Sequence, residues 1–351
     1  MQSLFWADRL RNLATILVIT IHVSAPVSHT YTDFDTWHWW AANWWDALGR
    51  PSVNLFVMLS GFLLLGKDYP TGSFLKKRFT RVLIPALAWM PAYLLYGHIA
   101  HNEPATLPQA LEKMIEGPVH YHLWFIYLIL GLYLTYPILR PWVRQAQEQD
   151  YWYFFAVCAL GTWIYKFLSV FFEVRIGLYF ELFTNQLGHF VLGYYLGNKV
   201  LAGETPAVQG ISPWRLSRPQ VRWLAWALII AGTVVTAAGG YWHSVSKAAF
   251  QPYFYDYLTI NVTLPAAGWF LLARHAWNER PLLEAEQKFA AASFGIYLAH
   301  IFVMDWWAQC GYWHSVAHPA KTLPILIALV SITTFMAILF IQALPGGKKI
   351  T

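Results

Sequence analysis

The chain has 351 residues, of which 57% are hydrophobic and 12% charged, with a formal net charge of +6. Soluble proteins carry charge on about a quarter of their residues, so a soluble globular fold is excluded; apolar runs long enough to cross a bilayer recur from end to end instead. Two cysteines, Cys158 and Cys310, exclude a disulfide framework and a thiolate metal centre.

The runs predict an all-α, polytopic membrane protein forming one domain over residues 1–351, with no room between spans for a soluble domain. Ten spans are expected, at 11–28, 50–66, 80–100, 122–140, 152–171, 181–200, 222–241, 256–273, 289–308 and 322–342. The first holds an arginine at its mouth and a histidine inside, in "LRNLATILVITIHVSAPV" (10–27). Arg11 and His22 are eleven residues apart. At about 100° per residue that is three turns plus roughly 20°, which puts both on one face with a rise of about 16 Å. His22 then lies near the middle of the hydrocarbon layer. An ionisable group there marks a functional site, and imidazole is the natural general base at neutral pH; the competing reading is a packing histidine bonded across a helix interface. Basic residues, an apolar stretch and "VSA" also imitate a signal peptide, but Pro26 after the cut argues against cleavage.

The first outer loop crowds Trp37, Trp39, Trp40, Trp44 and Trp45, read as interfacial anchors or sugar-stacking surfaces. "GRPSVNLFVMLSGFLLLG" (49–66) carries Asn54 at its outer end and Ser60-Gly61 inside, where small residues let helices approach. "FLKKRFTRVLIP" (74–85) follows. Arg78 and Arg81, at i and i+3, face the same way and make a bidentate anion site suited to phosphates. "YHLWFIYLILGLYLTYPILRP" (121–141) enters with His122 beside Trp124, the latter fitting an aromatic belt. Lys166 is expected to snorkel outward. Glu181, Asn185, Gln186 and His189 gather at one end of span six, as an acceptor site or a wet helix end. "AAGG" (237–240) reads as a helix end. "SFGIYLAHIFVMDWW" (293–307) brings Tyr297 and His300 onto one face and Asp305 near the outer surface. The histidines show no dense ligand spacing, so no metal is expected.

With the N-terminus inside, 18 of the 24 Lys and Arg residues fall on the cytoplasmic side. The positive-inside rule therefore predicts N-in, C-in topology. That placement also accounts for the net charge without a nucleic-acid partner.

Together these motifs resemble the acyltransferase 3 family of integral membrane acyltransferases. Its arginine-then-histidine pattern matches Arg11 and His22, its R-x-x-R pattern Arg78 to Arg81, and its F-x-x-S-G-F pattern the "FVMLSGF" of Phe56–Phe62. Its "HLWF" matches His122 to Phe125, and its late S-x-G-I-Y-L-x-H pattern Ser293 to His300. "YHLWF" and "SVNLFVMLSGF" resemble the branch of the enterobacterial common antigen O-acetyltransferase and related polysaccharide O-acetyltransferases. Some relatives carry an extracytoplasmic domain; here about nine residues follow the last span, and none is expected.

The resemblance implies a multi-pass enzyme of the bacterial cytoplasmic (inner) membrane. Acetyl-CoA would be the cytoplasmic donor, its phosphates held by Arg11, Lys77, Arg78 and Arg81. The acceptor would be a hydroxyl of a cell-surface glycan or lipid-linked sugar, met by Asn54, Trp124, Glu181, His189 and Asp305. His22 would act as general base or transient acyl carrier. His122, Ser60 and Tyr297 join it as catalytic candidates, with Ser60, Asn54 or Tyr297 as oxyanion donors. His22, His122 and the outer halves of spans two and nine must then converge. The alternatives are a transporter or flippase for a lipid-linked glycan, an accessory subunit of a polysaccharide synthase, and a transferase of another acyl group such as succinyl.

Overall fold

The computed structural model describes residues 4–101, 106–174, 185–198, 216–277, 280–312 and 318–351. It is built of helices: α1 (Phe5–Thr30), α2 (Trp37–Gly49), α3 (Ser52–Leu65), α4 (Thr71–His101), α5 (Leu107–Glu116) and α6 (Trp124–Gln145). Then come α7 (Glu148–Ala159), α8 (Tyr165–Phe172), α9 (Leu187–Asn198), α10 (Arg218–Lys247), α11 (Ile260–Ala276), α12 (Glu284–Gln309) and α13 (Pro319–Ala343). Eight helical runs among the described residues are long and apolar enough to cross a membrane. The other two expected spans, 181–200 and 256–273, coincide with α9 and α11, of 12 and 17 residues.

The tryptophan segment is not a loop. Residues 37–49 form α2, whose N-terminus is capped by the Thr36 hydroxyl accepting from the Trp39 amide. Trp39 is fully buried, and its indole N–H donates to the Ser28 carbonyl at 2.9 Å. Arg50-Pro51 ends α2, and α3 begins at Ser52, so the membrane-length run is 37–65. "AAGG" lies inside α10, where Gly240 makes room for the Tyr255 ring. Lys166 pairs with Asp256, in the segment that joins α10 to α11, which shares the cost of its charge.

Bare glycines set the closest crossings. A Cβ on Gly61 of α3 would overlap the Phe190 carbonyl of α9, and one on Gly193 of α9 would overlap the Met58 carbonyl of α3. Backbone cannot swing aside as a side chain does, so overpacking here sits at the upper end of the usual ~1–3 kcal/mol. Gly61→Ala is expected to lower the thermal midpoint of the detergent-solubilised protein markedly. Gly131→Ala should leave it unchanged, since a Cβ there meets nothing within 4 Å.

Three contacts fix the direction of the helices around the centre. Arg9 of α1 meets Glu286 of α12 at 3.6 Å, while His22 and His300 of the same helices sit ring to ring at 5.0 Å. These two helices therefore run side by side in the same direction. Tyr93 of α4 donates its hydroxyl to the Leu298 carbonyl at 2.7 Å, which aligns α4 with them. Arg9, Arg11, Arg78 and Arg81 gather at one end, the basic end; His22, His120 and His300 lie toward the other.

Candidate active site

Three helices present helical-period stripes to one void. They are Phe56, Ser60 and Leu64 on α3, Phe125, Ile129 and Tyr133 on α6, and Ala290, Phe294 and Tyr297 on α12. The void is a cavity of about 400 Å³, within the ~300–1,000 Å³ range of small-molecule sites. Arg11, Arg78 and Arg81 line its basic end, as their spacing predicts. Arg78 lies over the Phe74 and Tyr133 rings, at 5.7 and 5.9 Å, and Arg11 is paired with Asp8. Lys77 is exposed and does not line the cavity. Ser60 lines the wall, but its hydroxyl donates to the Phe56 carbonyl one turn back at 2.8 Å.

On the side nearest the histidines the lining of the cavity is an aromatic layer. Phe56 and Phe125 are 6.0 Å apart, Phe125 and Tyr297 5.7 Å, and Phe294 stacks on Tyr297 at 6.2 Å. The Tyr297 hydroxyl donates to the His122 carbonyl and pins α12 to the entrance of α6.

One turn further, about 4.5 Å along α12, lies a layer of histidines. His22 is 5.0 Å from His300 and 6.3 Å from His122, and those two are 5.3 Å apart, all between ring centroids. Of the expected convergence, His22, His122 and the outer half of span nine meet here, through His300 as well as Tyr297, whereas span two reaches only the ring layer, through Phe56 on Phe125. His300 donates its Nδ1–H to the Tyr297 carbonyl at 2.7 Å. A carbonyl only accepts, so this bond fixes the tautomer and leaves Nε2 a bare acceptor. The Nε2 atoms of His122 and His300 are both buried without a partner. His22 is half-buried, and no hydrogen bond from the described residues occupies its ring. Such a cluster of unsatisfied imidazole nitrogens around a partly open one is costly for structure alone.

The layer opens on the far side. Tyr121, 55% exposed, sits 5.3 Å from His22, and half-buried His120 shares a 2.9 Å Nδ1–Nδ1 hydrogen bond with His122. His120 was not singled out by sequence reasoning. Its signal was there, two residues before His122 in "HYH".

The remaining expected site residues are placed as follows. Asn54 is buried; its Nδ2 donates to the Tyr257 carbonyl at 2.9 Å and its Oδ1 accepts from Gln186 at 3.3 Å. Trp124 is half-buried and stacks on Tyr257 at 4.9 Å. His189 is buried and bonded to the Thr263 hydroxyl at 2.9 Å. Gln186 and His189 thus join α9 to its neighbours and are not a wet helix end. Asp305 is half-buried and accepts from the Tyr96 hydroxyl at 3.1 Å. Glu181 and Asn185 divide at the boundary of description: Asn185 lies within it, and Glu181 lies outside the described residues. Among the described residues no cluster has the makings of a metal site.

A second charged cluster escaped the sequence reading. Fully buried Asp46 accepts from Arg50 at 2.6 Å and from Ser28 at 3.2 Å, and its Oδ2 is 3.2 Å from His29 Nε2. Arg50 also donates to the Tyr255 carbonyl at 3.2 Å. Burial and the nearby Asp46 push the Tyr255 hydroxyl well above its usual pKa, and it donates to Asn43 at 2.7 Å. The available signal was an acid and a base four residues apart inside an apolar run.

The model of the acyltransferase domain, acyltransferase 3, matches residues 4–342. The chain belongs to the acyltransferase 3 family. No curated protein and no solved structure matches it. Nearly the whole chain, including the arginine end, the aromatic layer and the histidine layer, falls inside the matched stretch. The chain is accordingly a multi-pass membrane acyltransferase.

Proposed function

We propose that this acyltransferase moves an acetyl group from cytoplasmic acetyl-CoA to a hydroxyl of a cell-surface glycan or lipid-linked sugar in the bacterial inner membrane. One observation carries the reading: a cavity with guanidiniums at one end is aligned, through a single ring layer, with a half-buried histidine open to the other side. Topology with the basic end in the cytoplasm puts the guanidiniums where a nucleotide's phosphates arrive. The narrow, largely apolar cavity suits a pantetheine arm. His22 takes the proton of the acceptor hydroxyl as its oxygen attacks the thioester carbonyl; the C–S bond then breaks and the proton passes from His22 to the leaving thiolate of CoA. Alternatively His22 displaces that thiolate itself and carries the acyl group to the acceptor. His300, its own ring held by the Tyr297 carbonyl, packs against the His22 ring at 5.0 Å between centroids and restrains it by contact. Excluding bulk water from this centre protects the thioester from hydrolysis. The likeness of "YHLWF" and "SVNLFVMLSGF" to polysaccharide O-acetyltransferases supports a glycan acceptor.

The test uses inside-out membrane vesicles carrying the protein and its endogenous acceptors, supplied with acetyl-labelled acetyl-CoA. Alkali-labile label on glycan that requires the protein supports the reading. Absence of label, with loss of glycan from the cell surface on deletion, favours transport instead. In the same vesicles, Arg78→Ala with Arg81→Ala is expected to raise the KM for acetyl-CoA about tenfold or more. That corresponds to losing charge-assisted contacts of ~1.5–3 kcal/mol; kcat should fall far less, because these groups bind the donor away from the reacting atoms.

A further inference from the structure

We infer that the ring layer of Phe56, Phe125, Phe294 and Tyr297 selects the acyl group, passing short uncharged acyl groups and excluding those that carry a carboxylate, such as succinyl. The inference rests on the donor-site reading above and narrows it. His22 does not line the cavity, whereas all four rings do. For transfer, the thioester carbonyl must come within about 3–3.5 Å of the reacting group. The acyl end of the donor must therefore cross the layer.

What it meets there is apolar. Neighbouring rings lie 5.7–6.2 Å apart between centroids, at van der Waals contact, so the donor parts them as it passes. The one polar atom of the four side chains, the Tyr297 hydroxyl, is already donating to the His122 carbonyl. An acetyl methyl crosses such a layer at no electrostatic cost. A carboxylate would leave water with nothing to replace its hydrogen bonds. The fixed charges act in the same direction. Arg11, Arg78 and Arg81 line the basic end and would hold a terminal carboxylate there. On the far side His22 meets the rings of Tyr121, His122 and His300, and the cation whose field reaches it there, Arg50, is already paired with Asp46.

In the vesicle assay, acetyl-CoA and succinyl-CoA are supplied separately, each labelled in the acyl group, with His22→Ala as the background. The wild-type protein is expected to transfer acetyl at least 100-fold faster than succinyl. Phe125→Ser, which opens the layer and adds a hydroxyl, should cut that ratio at least tenfold, and Phe56→Ser should move it in the same direction. The two variants guard against a folding failure in either one. Comparable acetyl and succinyl rates in the wild type would overturn the inference. So would a wild-type ratio that neither variant changes, because selection would then reside elsewhere. Transfer from neither donor would remove the donor-site reading itself, a result distinct from the loss of selectivity alone.

Discussion

His22→Ala is expected to lower acetyl transfer by about 10²–10⁴-fold, the range seen when a general base is removed, while membrane levels and donor affinity stay as in the wild type. On the proposed reading the donor's charged part binds at the basic end, one cavity length from His22, so the loss should appear in kcat. His300→Ala should produce a smaller fall, because the imidazole of His22 would remain but lose the neighbour 5.0 Å away that restrains it. The two roles open to His22 separate in one further measurement. The purified protein is mixed with acetyl-CoA without acceptor, then quenched and digested. An acetyl adduct on the peptide containing His22 identifies a carrier, and its absence in a preparation that transfers acetyl once acceptor is added identifies a base. If His22→Ala retains full transfer, His22 is a packing residue and the catalytic assignment falls.

Asp46→Ala is expected to be the most destabilising single substitution outside the glycine crossings. Asp46 is fully buried and the Arg50 side chain is only 11% exposed. Removing the carboxylate leaves a guanidinium inside the bundle with nothing to neutralise it, at a cost of about 3–5 kcal/mol. His29 and Ser28 lose the same partner. Asp46→Ala combined with Arg50→Leu should recover a large part of the loss, since the buried cation disappears along with the anion. Thermal unfolding in detergent of the two single variants and the double variant closes this cycle. A loss below about 1 kcal/mol for Asp46→Ala would place the pair in the class of exposed ion pairs and contradict the burial described.

Much of this arrangement was legible in the sequence, because periodicity along one helix needs no knowledge of its neighbours. The eleven-residue interval put Arg11 and His22 on one face, and the structure has Arg11 on the cavity and His22 beyond its end. The three-residue interval put Arg78 beside Arg81, and both line the cavity. The helical nature of every expected span follows from the same kind of pattern. What periodicity does not supply is the partner across an interface. Asn54 reads as a free polar group at a helix end until Gln186, far away in the chain, is seen to bond it. His189 is likewise absorbed by Thr263, and Asp305 by Tyr96. The tryptophans of 37–45 looked like a loop because aromatic-rich, weakly charged stretches fit an interface as well as a helix. Burial of Trp39 and the bond from its indole to Ser28 decide the matter only in three dimensions. His120 was overlooked for a related reason: its significance lies in a bond to His122 that a turn, and not a helix, brings about.

The ring layer also bears on the electrical state of the membrane. Arginines line the cavity on one side of it and Tyr121 is exposed on the other, while the layer's one polar atom is already bonded, so a transmembrane voltage is expected to fall steeply across these few rings. Moving one elementary charge through such a drop involves about 2.3 kcal/mol per 100 mV. An acetyl group passing from a thioester to an oxygen ester is neutral before, during and after the passage, and the phosphates of its carrier stay behind. On the proposed reading, transfer to the exterior then draws nothing from the membrane potential so long as the acceptor's proton leaves with the thiol of the donor.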